Sequence, residues 1–172
     1  MGIKSCGLAL AVLLALPAGA SAHDHAVPKA LLLTEHGSGE GSNYTATWAH
    51  GDGRYCSVLT GDGVYPWPGP PVQWVPGTGI AVRFETRHEP RKVVAHAFLL
   101  GDPTTGTPIY GEVDVPHELR KVRVDGKTMW EAMLSPPPWP DLYLDVWARW
   151  NDQDGCHPQV AGWRFRAGLL PI

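Results

Sequence analysis

The chain has 172 residues and carries 14 lysines and arginines against 17 aspartates and glutamates, a net charge of −3 with neutral histidines. Nucleic-acid-binding surfaces are normally basic, so this balance argues against a nucleic-acid partner. The 20 glycines and 17 prolines make up about a fifth of the chain. They are spread among short apolar runs, which indicates many turns and not disorder.

Residues 1–22 have the features of a cleaved secretory signal peptide. Lys4 supplies the positive charge, and residues 8–16 form an apolar run that is far shorter than the ~20 residues needed to span a bilayer. The small residues at 20–22 predict cleavage before His23, although residues 18–20 offer a second site. We therefore expect a secreted or periplasmic protein. No later segment is long and apolar enough to predict a membrane span.

The rest of the chain alternates apolar and polar residues with the period of β-strands, and no segment shows helical periodicity over ten residues. Gly51-Asp52-Gly53 and Asp125-Gly126 predict hairpin turns. The predicted strands cover residues 29–34, 43–50, 54–60, 80–85, 92–100, 119–124, 127–134, 141–150 and 162–167, with a short strand near Ile109.

The alternation also predicts which side chains face inward. In residues 141–150 the apolar set begins at Leu142 and ends at Trp150, whereas Asp145 and Trp147 belong to the opposite face. These patterns predict an all-β, antiparallel immunoglobulin-like β-sandwich of about seven to nine strands. We expect it to form a single domain over residues 23–172, with residues 23–28 as a flexible N-terminal arm.

Removal of the signal peptide would take Cys6 away and leave two cysteines, Cys56 and Cys156. A pair of cysteines in an exported protein most often forms a disulfide. In the chain-entropy model, closing a loop of this length stabilises the fold by about 4.7 kcal/mol. The alternatives are a thiolate metal ligand and a reduced pair.

Cleavage before His23 would create a candidate metal site at His23-Asp24-His25. The free amine, two amide nitrogens and the imidazole of His25 form a square-planar set of the kind that Cu(II) and Ni(II) favour. Alternatively, the amine and side chain of His23 could bind copper together with a second histidine, as a histidine brace. The two modes compete for one amine, and a short polar N-terminus without a metal role is the third interpretation.

His50 and His96 are the candidate further ligands. His50 ends a predicted strand, and it would lie near the N-terminus if the first two predicted strands pair. His96 is in phase with Val94 and Phe98, which favours a core or sheet-edge histidine with a satisfied hydrogen bond over a metal ligand.

Aromatic residues form a second candidate site, for carbohydrate. Exposed rings with nearby acids are typical of sugar-binding sandwiches, and burial of the same rings is the alternative. The candidate residues are Tyr65, Trp67 and Trp74 in a loop rich in proline and glycine, and Tyr143 and Trp147 on one strand face.

The sequence contains no complete catalytic motif: Gly-x-Ser-x-Gly, the Walker loop and His-Glu-x-x-His are all absent. The leading hypothesis is therefore an exported binding protein and not an enzyme, with Cu(II) or Ni(II) bound at His23 and His25. The alternatives are a carbohydrate-binding or adhesion module, a structural domain of an envelope assembly, and a histidine-brace copper enzyme.

Overall fold

The structure is a computed structural model that describes residues 27–50, 55–59, 70–101, 108–150 and 159–169. Every regular element in these ranges is a β-strand, so the predicted all-β class is confirmed for the described part of the chain. The same residues include no helix that is long and apolar enough to cross a membrane.

Fourteen strands are described, five of which have four residues or fewer. The remaining nine have five or more residues and include the long predicted strands. In chain order the fourteen strands are β1 (Ala30–Thr34), β2 (Gly37–Glu40), β3 (Ser42–His50), β4 (Tyr55–Leu59), β5 (Val72–Trp74), β6 (Ile80–Phe84), β7 (Lys92–Phe98), β8 (Leu100–Gly101), β9 (Pro108–Tyr110), β10 (Val113–Asp114), β11 (His117–Val124), β12 (Lys127–Leu134), β13 (Asp141–Arg149) and β14 (Val160–Leu169).

The strands form two main antiparallel sheets. The five-stranded sheet has the order β11-β12-β6-β1-β2, and the six-stranded sheet has the order β10-β7-β13-β14-β3-β4. The short strand β5 joins the six-stranded sheet by pairing in parallel with the end of β14. This arrangement is consistent with a β-sandwich.

One hydrophobic core draws on residues from both sheets. The alternation predicted for β13 is confirmed, since the apolar set from Leu142 to Trp150 is at most 2% exposed. Trp163 and Phe165, which alternate with Arg164 and Arg166 on β14, are equally buried. The polar side chains of these strands therefore lie on the outer face of the six-stranded sheet.

The hairpin predicted at Asp125-Gly126 joins β11 to β12 in full register. Both turn residues have positive φ, 50° for Asp125 and 77° for Gly126. A two-residue type I′ turn requires this backbone conformation at both positions, and Asp-Gly is among its preferred sequences.

We expected His50 to lie near the N-terminus if the first two predicted strands paired with each other, and they do not pair. β1 pairs with β2 and β6 in the five-stranded sheet, whereas β3, which ends at His50, pairs with β14 and β4. The first two predicted strands therefore lie in different sheets. The glycine-rich β2, which follows β1 directly, occupies the position beside β1.

The strand β5 lies within a stretch that the sequence predicts as a loop. It packs beside β2, where a side chain on Gly39 would come within 2.6 Å of Val72. The hydroxyl of Thr34 donates a hydrogen bond of 2.6 Å to the carbonyl of Gln73. Gly39 thus allows β2 and β5 to pack closely together, and the composition of the sequence does not reveal this contact.

Candidate functional site

The outer face of the six-stranded sheet holds a row of polar side chains that crosses neighbouring strands. The strand register places Asp114 opposite His96, His96 opposite Asp145, and Asp145 opposite Arg164. Tyr44 on β3 joins the end of this row. We call these five side chains the polar row.

Hydrogen bonds and charge contacts connect the members of the polar row. The Tyr44 hydroxyl donates to Oδ1 of Asp145 at 2.6 Å, and the Arg164 guanidinium lies 4.5 Å from the centroid of the Tyr44 ring. At the other end, Nε2 of His96 lies 3.3 Å from Asp114, and its Nδ1 lies 3.2 Å from Glu112. The row therefore joins carboxylates with the guanidinium of Arg164, the phenol of Tyr44 and the imidazole of His96.

An irregularity in β3 brings Tyr44 to this face. The register places Gly162 opposite Thr45 but Trp163 opposite Asn43, so Tyr44 is an extra residue in the β3 ladder. A β-bulge of this kind redirects a side chain locally. Gly162 makes room for it, because a Cβ atom there would lie 3.0 Å from two atoms of the Tyr44 ring.

Burial raises the pKa values of Asp145 and Tyr44, the pair in the middle of the polar row. Burial raises the pKa of the Asp145 carboxyl, although the Tyr44 hydrogen bond and the charges of Arg164 and His96 oppose this rise. Burial, reinforced by the Asp145 charge, also raises the pKa of the Tyr44 phenol far above its usual value. Tyr44 therefore stays protonated and acts as a hydrogen-bond donor to Asp145.

Trp147 lies in the row of side chains next to the polar row. Its cross-strand neighbours are Val94 and Gly162, and it is partly exposed. Because the Tyr44 ring packs against the backbone of Gly162, two aromatic side chains flank this glycine. An aromatic ring that is partly exposed beside fixed polar groups is suited to binding a ligand with both apolar and hydroxyl surfaces.

Tyr143 lies on the other side of the polar row and is only 4% exposed. It forms a small cluster with Phe98, separate from the main core, and the Arg166 guanidinium lies 5.3 Å from its ring. The short strand β8 contacts β13 in this region. Tyr143 was predicted as part of a ligand surface, but a ring that is covered in this way cannot stack on a ligand.

Trp74 was predicted as another surface ring, but it is 0% exposed. It ends β5, and its indole N–H donates to the carbonyl of Thr78 at 3.2 Å. Pairing of β5 with β14 places the indole in the main core. Trp74 therefore has no surface to offer to a ligand.

His96, predicted as a core or sheet-edge histidine, lies between β10 and β13 on the outer face of the sheet, with both ring nitrogens close to carboxylates. The structure describes only the backbone of His50 and Cys56, which lies in the paired strands β3 and β4. The other predicted site residues lie outside the described residues and stay predictions: His23, His25, Tyr65, Trp67 and Cys156.

Among the residues that the structure describes, no three or more His, Cys, Asp or Glu side chains are grouped so that they could hold a metal ion.

Tyr44, Arg164 and Glu112 were not predicted as site residues. The outward alternation of β13 and β14 places Asp145 and Arg164 on one face, but it does not reveal Tyr44, because the bulge breaks the alternation of β3.

Comparison with known proteins found no relative of this chain. No family model matches it, and neither does any curated protein or solved structure.

Proposed function

We propose that the protein is an exported binding module that holds carbohydrate on the outer face of the six-stranded sheet, around Trp147. The observation that carries this proposal is the position of Trp147, which is partly exposed one row away from the polar row. Successive rows on one face of a strand are about 7 Å apart. A sugar ring stacked on Trp147 would therefore have its hydroxyl groups directed to Asp145 and Arg164.

The polar row has the mixture of donors and acceptors that hydroxyl groups require. Asp145 accepts hydrogen bonds, Arg164 donates them, and charge-assisted hydrogen bonds of this type are stronger than neutral ones. The contacts between Tyr44, Asp145 and Arg164 hold these groups in place before a ligand arrives. A site that is ordered in advance loses less entropy on binding.

A binding assay with oligosaccharides tests this function. We expect at least one hexasaccharide from a panel of cellulose, xylan, β-1,3-glucan, mannan, chitin and polyuronate fragments to bind and to change tryptophan fluorescence. Trp147→Ala and Asp145→Asn should each weaken that binding about tenfold, the equivalent of 1.4 kcal/mol. Lys127→Ala, on the other sheet, is the matched control. A panel without any binder, or a Trp147→Ala variant that binds like the wild type, would refute the proposal.

We also propose three further properties, in this order: an immunoglobulin-like type of sandwich, export with cleavage before His23, and a disulfide between Cys56 and Cys156. The two antiparallel sheets support the first, and the features of residues 1–22 support the second. Intact-mass measurement of the protein recovered from an exporting host tests the other two. We expect a chain that starts at His23 and is lighter by two hydrogen atoms than the reduced chain. A start at Met1, or two alkylatable thiols, would contradict them.

A second candidate function is Cu(II) or Ni(II) binding at the mature N-terminus, which the sequence His23-Asp24-His25 favours. Titration of the processed protein with Cu(II) should reveal one tight site per chain with a visible d–d absorption band. His25→Ala should abolish this band, whereas His96→Ala should leave it unchanged. If the wild type has no band, or if the His25→Ala band equals that of the wild type, the N-terminal chelate does not exist.

A further inference from the structure

A cleft lies between the two sheets at the edge where β7 and β11 approach each other. β10 pairs with His96 and Ala97 near the end of β7. In the described part of the chain, the start of β7 therefore has β13 on one side and no strand of its own sheet on the other. The cleft has a volume of about 290 Å³ and is lined by Pro90, Arg91, Lys92, Val93, His117 and Leu119.

The lining of this cleft is apolar at its floor and cationic at its rim. Pro90 and Val93 are buried and Leu119 is half-buried, whereas Arg91 and Lys92 are exposed. A bound molecule would thus bury an apolar part against the floor, a favourable contact, while its polar part stayed near the cations.

His117 adds a group at the rim whose orientation is partly set. Its Nδ1 lies 3.4 Å from the carbonyl oxygen of Val115, which accepts a hydrogen bond in the tautomer that carries the proton on Nδ1. A histidine held in this way donates from Nε2 when it is protonated.

The backbone contributes a further donor. The amide of Val115 donates to the carbonyl of Ala95 at 2.8 Å, so the polar backbone groups of Ala95 face the β10 side of β7. Backbone groups alternate sides along an antiparallel strand, and those of Val93 therefore face the same side, next to the cleft. The N–H of Val93 can donate to an acceptor there.

The lining of the cleft includes two cations, Arg91 and Lys92, and no acidic side chain, whereas the whole chain has a net charge of −3. Arg149 lies opposite Lys92 on the neighbouring strand. The acids adjacent in sequence, Glu89 and Glu118, are both exposed to solvent. A local positive field with low-dielectric walls raises the concentration of anions near it.

We propose that this cleft binds a small organic anion, with a carboxylate or phosphate group at Arg91 and Lys92 and an apolar body against Val93 and Leu119. The apolar body would contact Val93 and Leu119, which are not part of the carbohydrate surface around Trp147, although Lys92 lies in the row next to that ring. Binding of an anion here therefore does not depend on the function proposed above.

The test is an NMR titration of the ¹⁵N-labelled protein with benzoate, phenyl phosphate and neutral benzyl alcohol. We expect one or both anions to shift the amide signals of Val93 and Leu119 in a saturable manner, and benzyl alcohol to bind about tenfold more weakly or not at all. The stronger of the two anions identifies the acidic group that the cleft prefers.

A pair of double variants distinguishes the cleft from general electrostatics. Arg91→Gln with Lys92→Gln should weaken anion binding about tenfold, whereas Arg123→Gln with Lys127→Gln removes the same charge elsewhere and should leave it unchanged. Equal weakening in both double variants would overturn the proposal. So would equal binding of benzyl alcohol, or the absence of saturable shifts with either anion.

Discussion

Replacement of Trp163 by alanine is expected to lower the free energy of unfolding by about 3–5 kcal/mol, the range for removing a large aromatic side chain from a core. Trp163 is 1% exposed and is one of three rings that contact each other, with Phe84 and Trp150. Its ring centroid is 5.4 Å from that of Phe84 and 6.2 Å from that of Trp150. Since Phe84 belongs to the other sheet, the substitution opens a cavity between the sheets.

Urea denaturation of the two proteins measures this loss. Domains of this size are stable by only about 5–15 kcal/mol, so Trp163→Ala removes a large share of the total. Trp163→Phe fills part of the space and should retain most of the stability, which keeps the comparison measurable if the alanine variant does not fold. Trp147→Ala is the matched control, because it removes the same side chain from the outer face. Equal losses for Trp163→Ala and Trp147→Ala would contradict the assigned core.

The second large effect concerns Glu131, which is 2% exposed although it lies on the outer face of the five-stranded sheet. Its Oε1 accepts hydrogen bonds from Arg83 Nε at 2.8 Å and contacts Arg83 Nη2 at 2.7 Å. Its Oε2 accepts from Arg120 Nε at 3.0 Å and Nη2 at 2.7 Å. Two guanidinium groups thus enclose one carboxylate.

Glu131→Gln is expected to lower the free energy of unfolding by about 3 kcal/mol at neutral pH. Arg83 is 22% exposed, so the variant leaves a largely buried positive charge without its carboxylate. Glu118→Gln, at an exposed position of the neighbouring strand, is the control and should change stability by less than about 0.5 kcal/mol. Urea denaturation at neutral pH measures both.

The pH dependence of the same variant gives an independent result. Burial alone would raise the pKa of Glu131, but the hydrogen bonds and charges of Arg120 and Arg83 outweigh burial and hold it below its ordinary value of 4.5. A carboxyl with a lowered pKa in the folded state contributes stability that is complete above the unfolded pKa and is lost as the pH falls through the folded pKa. The stability gap between wild type and Glu131→Gln should therefore narrow in acid. A gap that stays constant down to complete protonation would show that the carboxylate charge is not what stabilises this cluster.

Much of the sandwich could be predicted from local patterns. The inward positions of β13 and β14 follow from alternation, because successive side chains of a strand point to opposite faces. The hairpin at Asp125-Gly126 follows from the backbone conformations that these two residues tolerate. Such features depend on neighbours in the chain, so the sequence by itself determines them.

The strand neighbours could not be predicted in this way. β1 lies beside β6, and β14 lies between β13 and β3, although long stretches of chain separate β1 from β6 and β3 from β14. β5 was missed because a stretch rich in proline and glycine gives no alternating signal, and its pairing with β14 buries Trp74. Burial of a single ring depends on what packs over it, and local composition does not contain that information.

The sequence was therefore sufficient to predict the long strands, their inward faces and the tight turn, because these depend on periodicity and backbone preference over a few residues. It also supplied the N-terminal His23-Asp24-His25 motif, whose metal binding remains a prediction. The row formed by Tyr44, His96, Asp114, Asp145 and Arg164 could not be predicted from the sequence. The physical reason is that the row depends on register and on a bulge in β3, and both are set by packing between strands that are distant in the chain.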